Sequence, residues 1–459
     1  MTTKLRAWLI FLIFLNGFVS LSLELIILRQ LTFFVGSSAV VTSIIMGTFL
    51  GFMSLGYFLG TTRRFESTVV PRTLGWSFII IATFAALGAS FPLIVKYFAW
   101  MYAAGATSAI IQTFIFSIAL LAFGPMLFGF NTTLLSRMLH KYNTNYAGNI
   151  MAWDTIGSVV ASISTTLLFM PFIGVNYTVT LVVTLALIAA VLTWRKWYIV
   201  LVALVVFAAT AVINSEYVGQ KYFGILVNNA NSTISVLNFG DSRMLYMNGL
   251  PMSIYYPATG GGAEYIDYIN ENFIYNMPRD RRRRILVLGA GGFTAGLNDA
   301  FNEYTFVDIE ATLRDVSEQH FLGRNIGPNK EFIVQDASQF LKNTDKEYDL
   351  IILDVYSNSY QIPENLITAE FMSRIKSRVA PNGIIIMNMV TSSSFDDAYT
   401  RVFDNTFHYV FDRNTQRQVI GTQNPWTGDN QANVMYIFYN RANDGRIYTI
   451  NKTPVIYDR

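Results

Sequence analysis

The chain has 459 residues, of which 52% are hydrophobic and only 14% charged, against roughly 25% charged in an ordinary soluble protein. Its net charge of +3 hides an imbalance: residues 1–213 hold 11 Lys/Arg and 3 Asp/Glu (+8), and residues 214–459 hold 22 and 27 (−5). A single soluble domain is excluded. With no cysteine present, so are disulfides, cysteine-ligated zinc, iron–sulfur clusters and thiol catalysis. The three histidines, His140, His320 and His408, are scattered, so no histidine-built metal site is expected.

The apolar excess sits in the first 213 residues. About 20 consecutive apolar residues cross a bilayer core. Segments of that kind are expected near Ala7–Leu28, Ser38–Gly60, Thr73–Tyr97, Ala106–Leu135, Ala147–Phe172, Tyr177–Trp194 and Trp197–Ile213. The first reads as a span rather than a secretory signal, being too long and without a small-residue cleavage site before Glu24. Basic residues of short loops mark the cytoplasmic side. Lys4, Arg6, Arg63, Arg64, Arg72, Arg137, Lys141, Arg195 and Lys196 fall in alternate loops, and only Arg29 and Lys96 lie in the others. A multi-pass inner (plasma) membrane protein is expected, with a cytoplasmic N-terminus. Seven crossings would leave residues 214–459 extracytoplasmic; an interfacial or re-entrant last segment would leave them cytoplasmic.

Gly47, Gly51, Gly56 and Gly60 form two small-xxx-small patterns, suited to close helix packing or to a homodimer seam. Glu24 and Asp154 are ionisable groups in apolar runs. Such groups face a bundle interior, either paired, as Glu24 with Arg29 or with a polar group of another span, or on a substrate or proton path.

Residues 214–228 read as a connector and 229–262 as a small antiparallel unit. Its strands are Ser232–Phe239, Arg243–Met247 and Met252–Tyr256, with turns at Gly240-Asp241 and Asn248-Gly249. A helix follows over Ala263–Tyr275. Residues 263–459 then alternate apolar strands (Ile285–Leu288, Tyr304–Val307, Phe332–Val334, Leu350–Leu353, Ile384–Met389) with helices (Gly292–Phe301, Thr312–Phe321, Ser338–Asn343, Ala369–Ser377). The alternation implies a doubly wound α/β domain on a largely parallel sheet. Tyr409–Asp412 and Val434–Tyr439 are expected as closing strands, one of them antiparallel.

In such a sheet the ligand lies beyond the carboxyl ends of the strands. The first strand ends in Gly289-Ala290-Gly291-Gly292, expected at a helix N-terminus where a ligand can approach the backbone. The next three strands end at Asp308, Asp336 and Asp354. An acidic residue at the second strand's end accepts from ribose hydroxyls; an Asp after a strand also serves as a turn or helix cap. Three carboxylates in succession beside a glycine turn point to a nucleoside.

The stretches ILVLGAGGFTAG, TFVDIE, VQDASQFL and YDLIILDVYSNSYQIPENLITAEF resemble the spermidine synthase family of aminopropyltransferases. The hairpin with LYMNG resembles that family's small β-domain. LELIILRQL with VGSS, and AGNIMAWDTIGSVVAS with PFIGVN, look like its fused multi-span forms. The resemblance implies a multi-span α-helical membrane domain fused to a β-hairpin unit and a class I methyltransferase-like α/β domain. It also implies transfer of an aminopropyl group from decarboxylated S-adenosylmethionine to an amine. No cofactor would be tightly bound; the ligand would be that nucleoside or one like methylthioadenosine. Gly289, Gly291 and Gly292 would form the nucleoside turn, Asp308 would hold the ribose and Asp336 the adenine amino group. Asp354 would orient the amine as general base, and Tyr348 belongs to the YD pair before its strand.

Several positions depart from the family pattern. Gly292-Phe293 stands where an acidic residue is expected. Ser357 replaces the second carboxylate of the segment Asp354-Val355-Tyr356-Ser357-Asn358. Met252 replaces a Gln, and Tyr265-Ile266-Asp267 replaces a Tyr-His-Glu stretch. The amine side therefore falls to Tyr356, Glu364 and Glu264, so the polyamine site looks degenerate. The alternative is a catalytically silent scaffold or a nucleoside-binding subunit of a membrane complex. The run from Arg279 to Arg284 reads as a solvated loop, with anionic headgroup contact as the sharper option. The −5 half gives nucleic-acid binding no support. Expected partners are the bilayer, a nucleoside or amine, and a second copy or membrane-complex subunit. Nothing in the tail from Asn440 suggests chemistry.

Overall fold

The computed structural model describes residues 3–35, 39–62, 69–106, 108–140, 147–356, 362–392, 394–395, 397–411, 413–420 and 431–441. The chain divides into two units, one of residues 1–236 and 246–249 and the other of 237–245 and 250–459.

The first unit is helical. Its elements are α1 (Thr3–Val35), α2 (Ala39–Thr62), α3 (Val70–Ala89), α4 (Phe91–Ala103), α5 (Ala109–Phe116), α6 (Phe123–His140), α7 (Ala147–Ser164), α8 (Met170–Thr193), α9 (Trp197–Ile213) and α10 (Glu216–Phe223). One π-helical turn, Ser117–Leu121, precedes α6, and another, Thr165–Phe169, precedes α8. Among the described residues four helices are long and apolar enough to cross a membrane: Leu5–Val35, Ala39–Thr61, Val70–Ala89 and Gly148–Thr193. Two bent pairs, Ala109–Leu121 with Phe123–Leu139 and Trp197–Ile213 with Glu216–Phe223, would bring the number to six. Gly148–Thr193 spans 46 residues, about 69 Å of helix, more than twice the ~30 Å hydrocarbon core. It breaks at Gly174 (φ 78°, ψ 164°), between the expected fifth and sixth segments.

Two glycine crossings hold this unit together. A Cβ at Gly17 would overlap the Asp154 carbonyl oxygen, and one at Gly157 the Phe14 carbonyl oxygen. On α2 and α6, Gly56 and Gly129 meet the carbonyls of Met126 and Met53 in the same reciprocal way. Without side chains the backbones approach to contact, the main route to helix association in an apolar medium. Gly56 and Gly60 thus serve packing within the chain, whereas Gly47 and Gly51 have no atom within 4 Å of a Cβ position. The core is aliphatic and aromatic, with Ile13, Val19, Ile26, Phe78, Ile81 and Phe116 almost fully buried. The expected pairing of Glu24 with Arg29 is not adopted. Five residues put the two about 140° apart around α1, and Arg29 donates to the carbonyl oxygens of Asn229 and Ala230 (both 3.0 Å) and to Thr233 Oγ1 (3.2 Å).

The stretch expected as a plain connector contains α10 and a strand. Ser215 Oγ caps α10 at Val218 N, and Gly224 (φ 62°) ends it in the left-handed region. A four-stranded sheet follows in the order β1 (Ile225–Asn228), β2 (Thr233–Phe239), β3 (Ser242–Met247), β4 (Leu250–Tyr255). It begins one strand earlier than hairpin signals alone show. Asn248 (φ 50°) and Gly249 (φ 79°) form the expected tight turn.

The second unit carries α11 (Glu264–Ile269), continued by a π turn over Asn270–Ile274, then β5 (Arg284–Leu288), β6 (Glu303–Asp308), α12 (Leu313–Val316, followed by a π turn to Phe321) and β7 (Lys330–Val334). It continues through α13 (Ala337–Asn343), β8 (Tyr348–Leu353), α14 (Ala369–Lys376), β9 (Val379–Ser392), α15 (Ala398–Val410), β10 (Thr415–Ile420) and β11 (Gln431–Tyr439). The sheet order is β10-β11-β9-β8-β5-β6-β7. The five strands β5 to β9 run parallel, and β11 is antiparallel to both β9 and β10. This is the class I methyltransferase-like arrangement. β8 is buried along its whole length and β5 after its first residue, which explains their unbroken apolar runs. Phe340, Phe371, Phe403 and Phe407 of α13, α14 and α15 pack on one face with Leu286, Ile351, Met387 and Tyr436.

Two sequence expectations fail here. No helix forms over Gly292–Phe301, because Phe293 (φ 58°) and Gly296 (φ 61°) leave the helical region. Residues 409 and 410 end α15 rather than starting a strand, and the edge is supplied instead by β10.

The arginine run is exposed as expected except at Arg283, which is half-buried. Arg281 pairs with Asp349 in a fork, and Arg283 reaches Asp280 (2.5 Å) and Asp349 (3.7 Å). Residues 442–459, which include most of the tail, lie outside the described residues.

Candidate active site

The glycine turn is shaped by the strands on either side of it. Gly289 N donates to Val307 O (2.9 Å) and Asp354 N to Leu288 O (2.8 Å), so the ends of β5, β6 and β8 are laced together. Gly289 has φ 92°, and a Cβ there would overlap the Asp354 carbonyl. Only glycine fits, for backbone conformation and for space.

Asp308 closes β6. Its carboxylate accepts from Ala290 N (2.9 Å) and Glu310 N (3.1 Å). Burial raises its carboxyl above the ordinary carboxylate value, and those backbone donors pull it back down. Ser253 of β4 accepts from Gly292 N at 2.9 Å. Two donors of the turn are thus directed at the protein's own side chains, and with no helix following, the expected helix N-terminus is absent. Phe293 is fully buried against Phe306 and Phe332, so the position where an acidic residue was expected points into the core. Asp336 caps α13, accepting from Gln339 N at 2.9 Å, the ordinary capping role of an Asp after a strand.

Asp354, just past β8, is the centre of the site. Its Oδ2 accepts from the Tyr265 hydroxyl (2.8 Å) and its Oδ1 from Asn388 Nδ2 (2.8 Å). Burial raises the carboxyl, opposed first by Asn388 and then by Tyr265. Burial also pushes the Tyr265 hydroxyl well up, reinforced by the Asp354 charge, so the proton of this pair stays on the tyrosine. Asn388 is 1% exposed and its Oδ1 is sealed without a partner. Its Nδ2 is committed to Asp354.

Tyr356 also borders Asp354, whose charge helps hold its hydroxyl well above its ordinary value after burial. That hydroxyl donates to Asn388 O (3.0 Å) and accepts from Val390 N (3.1 Å). It braces β9 and has its hydrogen-bonding capacity largely used. Glu264 and Glu364 are exposed, and Tyr265, next to Glu264, is the side chain that reaches Asp354. Ser357 and Asn358 lie outside the described residues.

In the sequence Tyr265 stands out only as a departure from the family pattern, and Asn388 and Ser253 belong to no motif. A tyrosine on the first turn after the β unit and an amide on the fifth parallel strand were the available signals. An acidic group with two neutral donors can orient an amine and take its proton.

Residues 276–420 match the family profile described as the spermine/spermidine synthase domain. That stretch of the α/β half is similar to the spermine/spermidine synthase domain. Over 184 residues the chain is 24% identical to the polyamine aminopropyltransferase of Vibrio vulnificus, covering 38% of this chain and 58% of that one. It is 23% identical over 407 residues to polyamine aminopropyltransferase 2 of Aquifex aeolicus, covering 82% of this chain and 77% of that one. The chain therefore spans little more than half of the Vibrio protein, whereas the Aquifex likeness extends well into the helical half. Among solved structures, a probable spermidine synthase from Corynebacterium glutamicum superimposes with a TM-score of 0.38 and 23% identity, over 46% of this chain and 77% of that one. The three strand-end aspartates and the glycine turn all lie within the matched residues.

Proposed function

We propose that this chain is a membrane-anchored aminopropyltransferase in which Asp354 orients an acceptor amine and removes its proton. The amine nitrogen attacks the propyl carbon of decarboxylated S-adenosylmethionine, the carbon–sulfur bond breaks, and its electron pair leaves with methylthioadenosine. The ammonium proton passes to Asp354. The observation that carries this reading is the Tyr265–Asp354–Asn388 arrangement, a half-buried carboxylate steadied by two neutral donors. Gly289, Gly291, Gly292, Asp308 and Asp336 would hold the nucleoside. The acceptor would be a small amine with few positive charges, because unpaired ammonium groups are costly to desolvate and Phe293 stands in place of a family carboxylate.

The helical half would anchor the enzyme in the inner membrane with its N-terminus in the cytoplasm. The α/β half would then lie outside. Compartment reporters fused after Asn214 would test this, and activity only inside the cytoplasm would refute it. Incubating the detergent-solubilised protein with decarboxylated S-adenosylmethionine and a panel of mono- and diamines tests the chemistry. Methylthioadenosine and an aminopropylated amine are expected in equal amounts, and neither should form with Asp354→Asn.

The capped turn favours a second reading. With Gly292 N on Ser253 and Ala290 N on Asp308, a protein that binds a nucleoside without turnover would show methylthioadenosine binding by calorimetry and no product.

A further inference from the structure

A groove of about 340 Å³ opens between α3 and α6, lined by Arg72, Trp76, Ser77 and Ile80 on one side and by Leu127 and Phe130 on the other. Arg72, Trp76 and Ile80 follow one another at four-residue intervals, along one face of α3. Arg72 stands in the first turn of α3 and is exposed. Among the described residues no ion pair or hydrogen bond occupies its guanidinium. Ile80, about 12 Å further along the helix, is 40% exposed. The groove is thus cationic where α3 begins and apolar along its length.

Two further polar groups in it are unspent. Ser77 is 3% exposed and its Oγ has no partner. Trp76 stacks on Tyr198 with centroids 6.4 Å apart, and among the described residues its indole N–H donates to nothing. The same end of the helical unit gathers aromatic and basic side chains. Trp194 lies against Gly75, its Nε1 donates to the Tyr198 hydroxyl (2.7 Å), and Lys196 Nζ sits 5.7 Å from the Trp194 ring centroid. Tryptophan and tyrosine beside basic residues mark the depth of lipid headgroups. On the membrane reading, Arg72 is then at headgroup depth and Ile80 below it, within the apolar helix Val70–Ala89. Basic pockets between membrane helices on the side of the basic loops suit anionic headgroups.

We propose that the α3–α6 groove binds one anionic phospholipid. The phosphate would meet Arg72, its oxygens or the adjoining ester would accept from the Trp76 N–H and the Ser77 hydroxyl, and an acyl chain would lie along Ile80, Leu127 and Phe130. A soluble anion would leave the apolar length uncovered, and a zwitterionic lipid would bring a second cation towards Arg72. The site rests on the membrane reading of the helical unit.

Native mass spectrometry of the full-length protein in detergent, titrated with dioctanoyl phosphatidylglycerol or dioctanoyl phosphatidylcholine, tests the site. Wild type is expected to take up one phosphatidylglycerol at least tenfold more tightly than phosphatidylcholine. Arg72→Gln should erase that preference. Ile80→Trp, which fills the apolar part of the groove from an exposed position, should weaken both lipids. Arg195→Gln, which removes an exposed charge outside the groove, should change neither. Equal affinity for the two lipids in wild type, or a preference that survives Arg72→Gln, overturns the site. So does an equal loss in Arg195→Gln, which would show diffuse surface charge, and so does full displacement by glycerol phosphate, which would show a site for a soluble anion. Alkaline extraction of cell membranes separates this site from the membrane reading. Release of the protein refutes both, whereas retention without an anionic preference refutes the lipid site alone.

Discussion

The hydroxyl of Tyr265 donates to Asp354 Oδ2 at 2.8 Å across 89 residues of sequence. The bond joins the first helix of the second unit to the end of β8, and it does two things to the carboxylate. It fixes the orientation of one oxygen, leaving a defined lone pair for an acceptor amine. It also opposes the rise in the carboxyl's pKa that burial causes.

Tyr265→Phe should therefore slow transfer and change its pH dependence. Losing a hydrogen bond to a charged group removes about 1.5–3 kcal/mol, or roughly 10–100-fold in kcat/KM. With that donor gone the Asp354 carboxyl rises further, so the acid limb of the rate profile should move to higher pH. Steady-state rates across pH 5–9 would check both. A uniform loss with an unmoved limb would mean that Tyr265 only packs against the site.

Asp354→Asn should abolish transfer, by about 10²–10⁴-fold for loss of a general base, yet make the protein more stable near neutral pH. Because burial raises the folded-state pKa, the folded chain holds this proton more tightly than the unfolded chain. Stability from this group is then present at low pH and falls as pH rises from the unfolded to the folded pKa. The variant is free of that loss. Its melting temperature should exceed that of wild type at pH 7.5 by about 2–4 °C per kcal/mol, and the two should converge below the ordinary carboxylate range. Melts at pH 7.5 and near pH 4 give the comparison.

Gly289→Ala should damage the α/β half whether or not ligand is present. A left-handed backbone costs a non-glycine residue about 1–3 kcal/mol, and the added Cβ meets the Asp354 carbonyl. Lower melting temperature and lost transfer are expected together. Normal stability with lost activity would show that the turn yields and that only the ligand is excluded.

In the helical unit, Gly129→Leu and Gly47→Leu make a controlled pair. The first forces a side chain between α6 and the Met53 carbonyl, whereas the second meets nothing within 4 Å. Overpacking costs about 1–3 kcal/mol or more, so Gly129→Leu should aggregate or melt early in detergent while Gly47→Leu behaves as wild type. A dimer-to-monomer change in Gly47→Leu by light scattering would instead reveal a seam on α2.

Patterns that repeat locally were legible in the sequence. Apolar runs marked the helical character of the first half but not its division, since among the described residues four helices, or six with the bent pairs, are long and apolar enough to cross a membrane; alternation of short apolar strands with helices marked the parallel sheet and its three terminal aspartates. These signals are local because burial of a whole strand or helix face shows in consecutive residues. The missing helix after β5 was not legible, since Phe293, with its positive φ, is buried against Phe306 and Phe332, residues 13 and 39 positions away. Nor was the capping of the glycine turn by Ser253, 39 residues earlier. Only the tertiary structure decided that Tyr265 and Asn388 share Asp354, because hydrogen bonds between distant elements depend on where the sheet brings strand ends together. The same holds for Arg29, whose hydrogen bonds to the carbonyls at 229 and 230 join residues 200 positions apart.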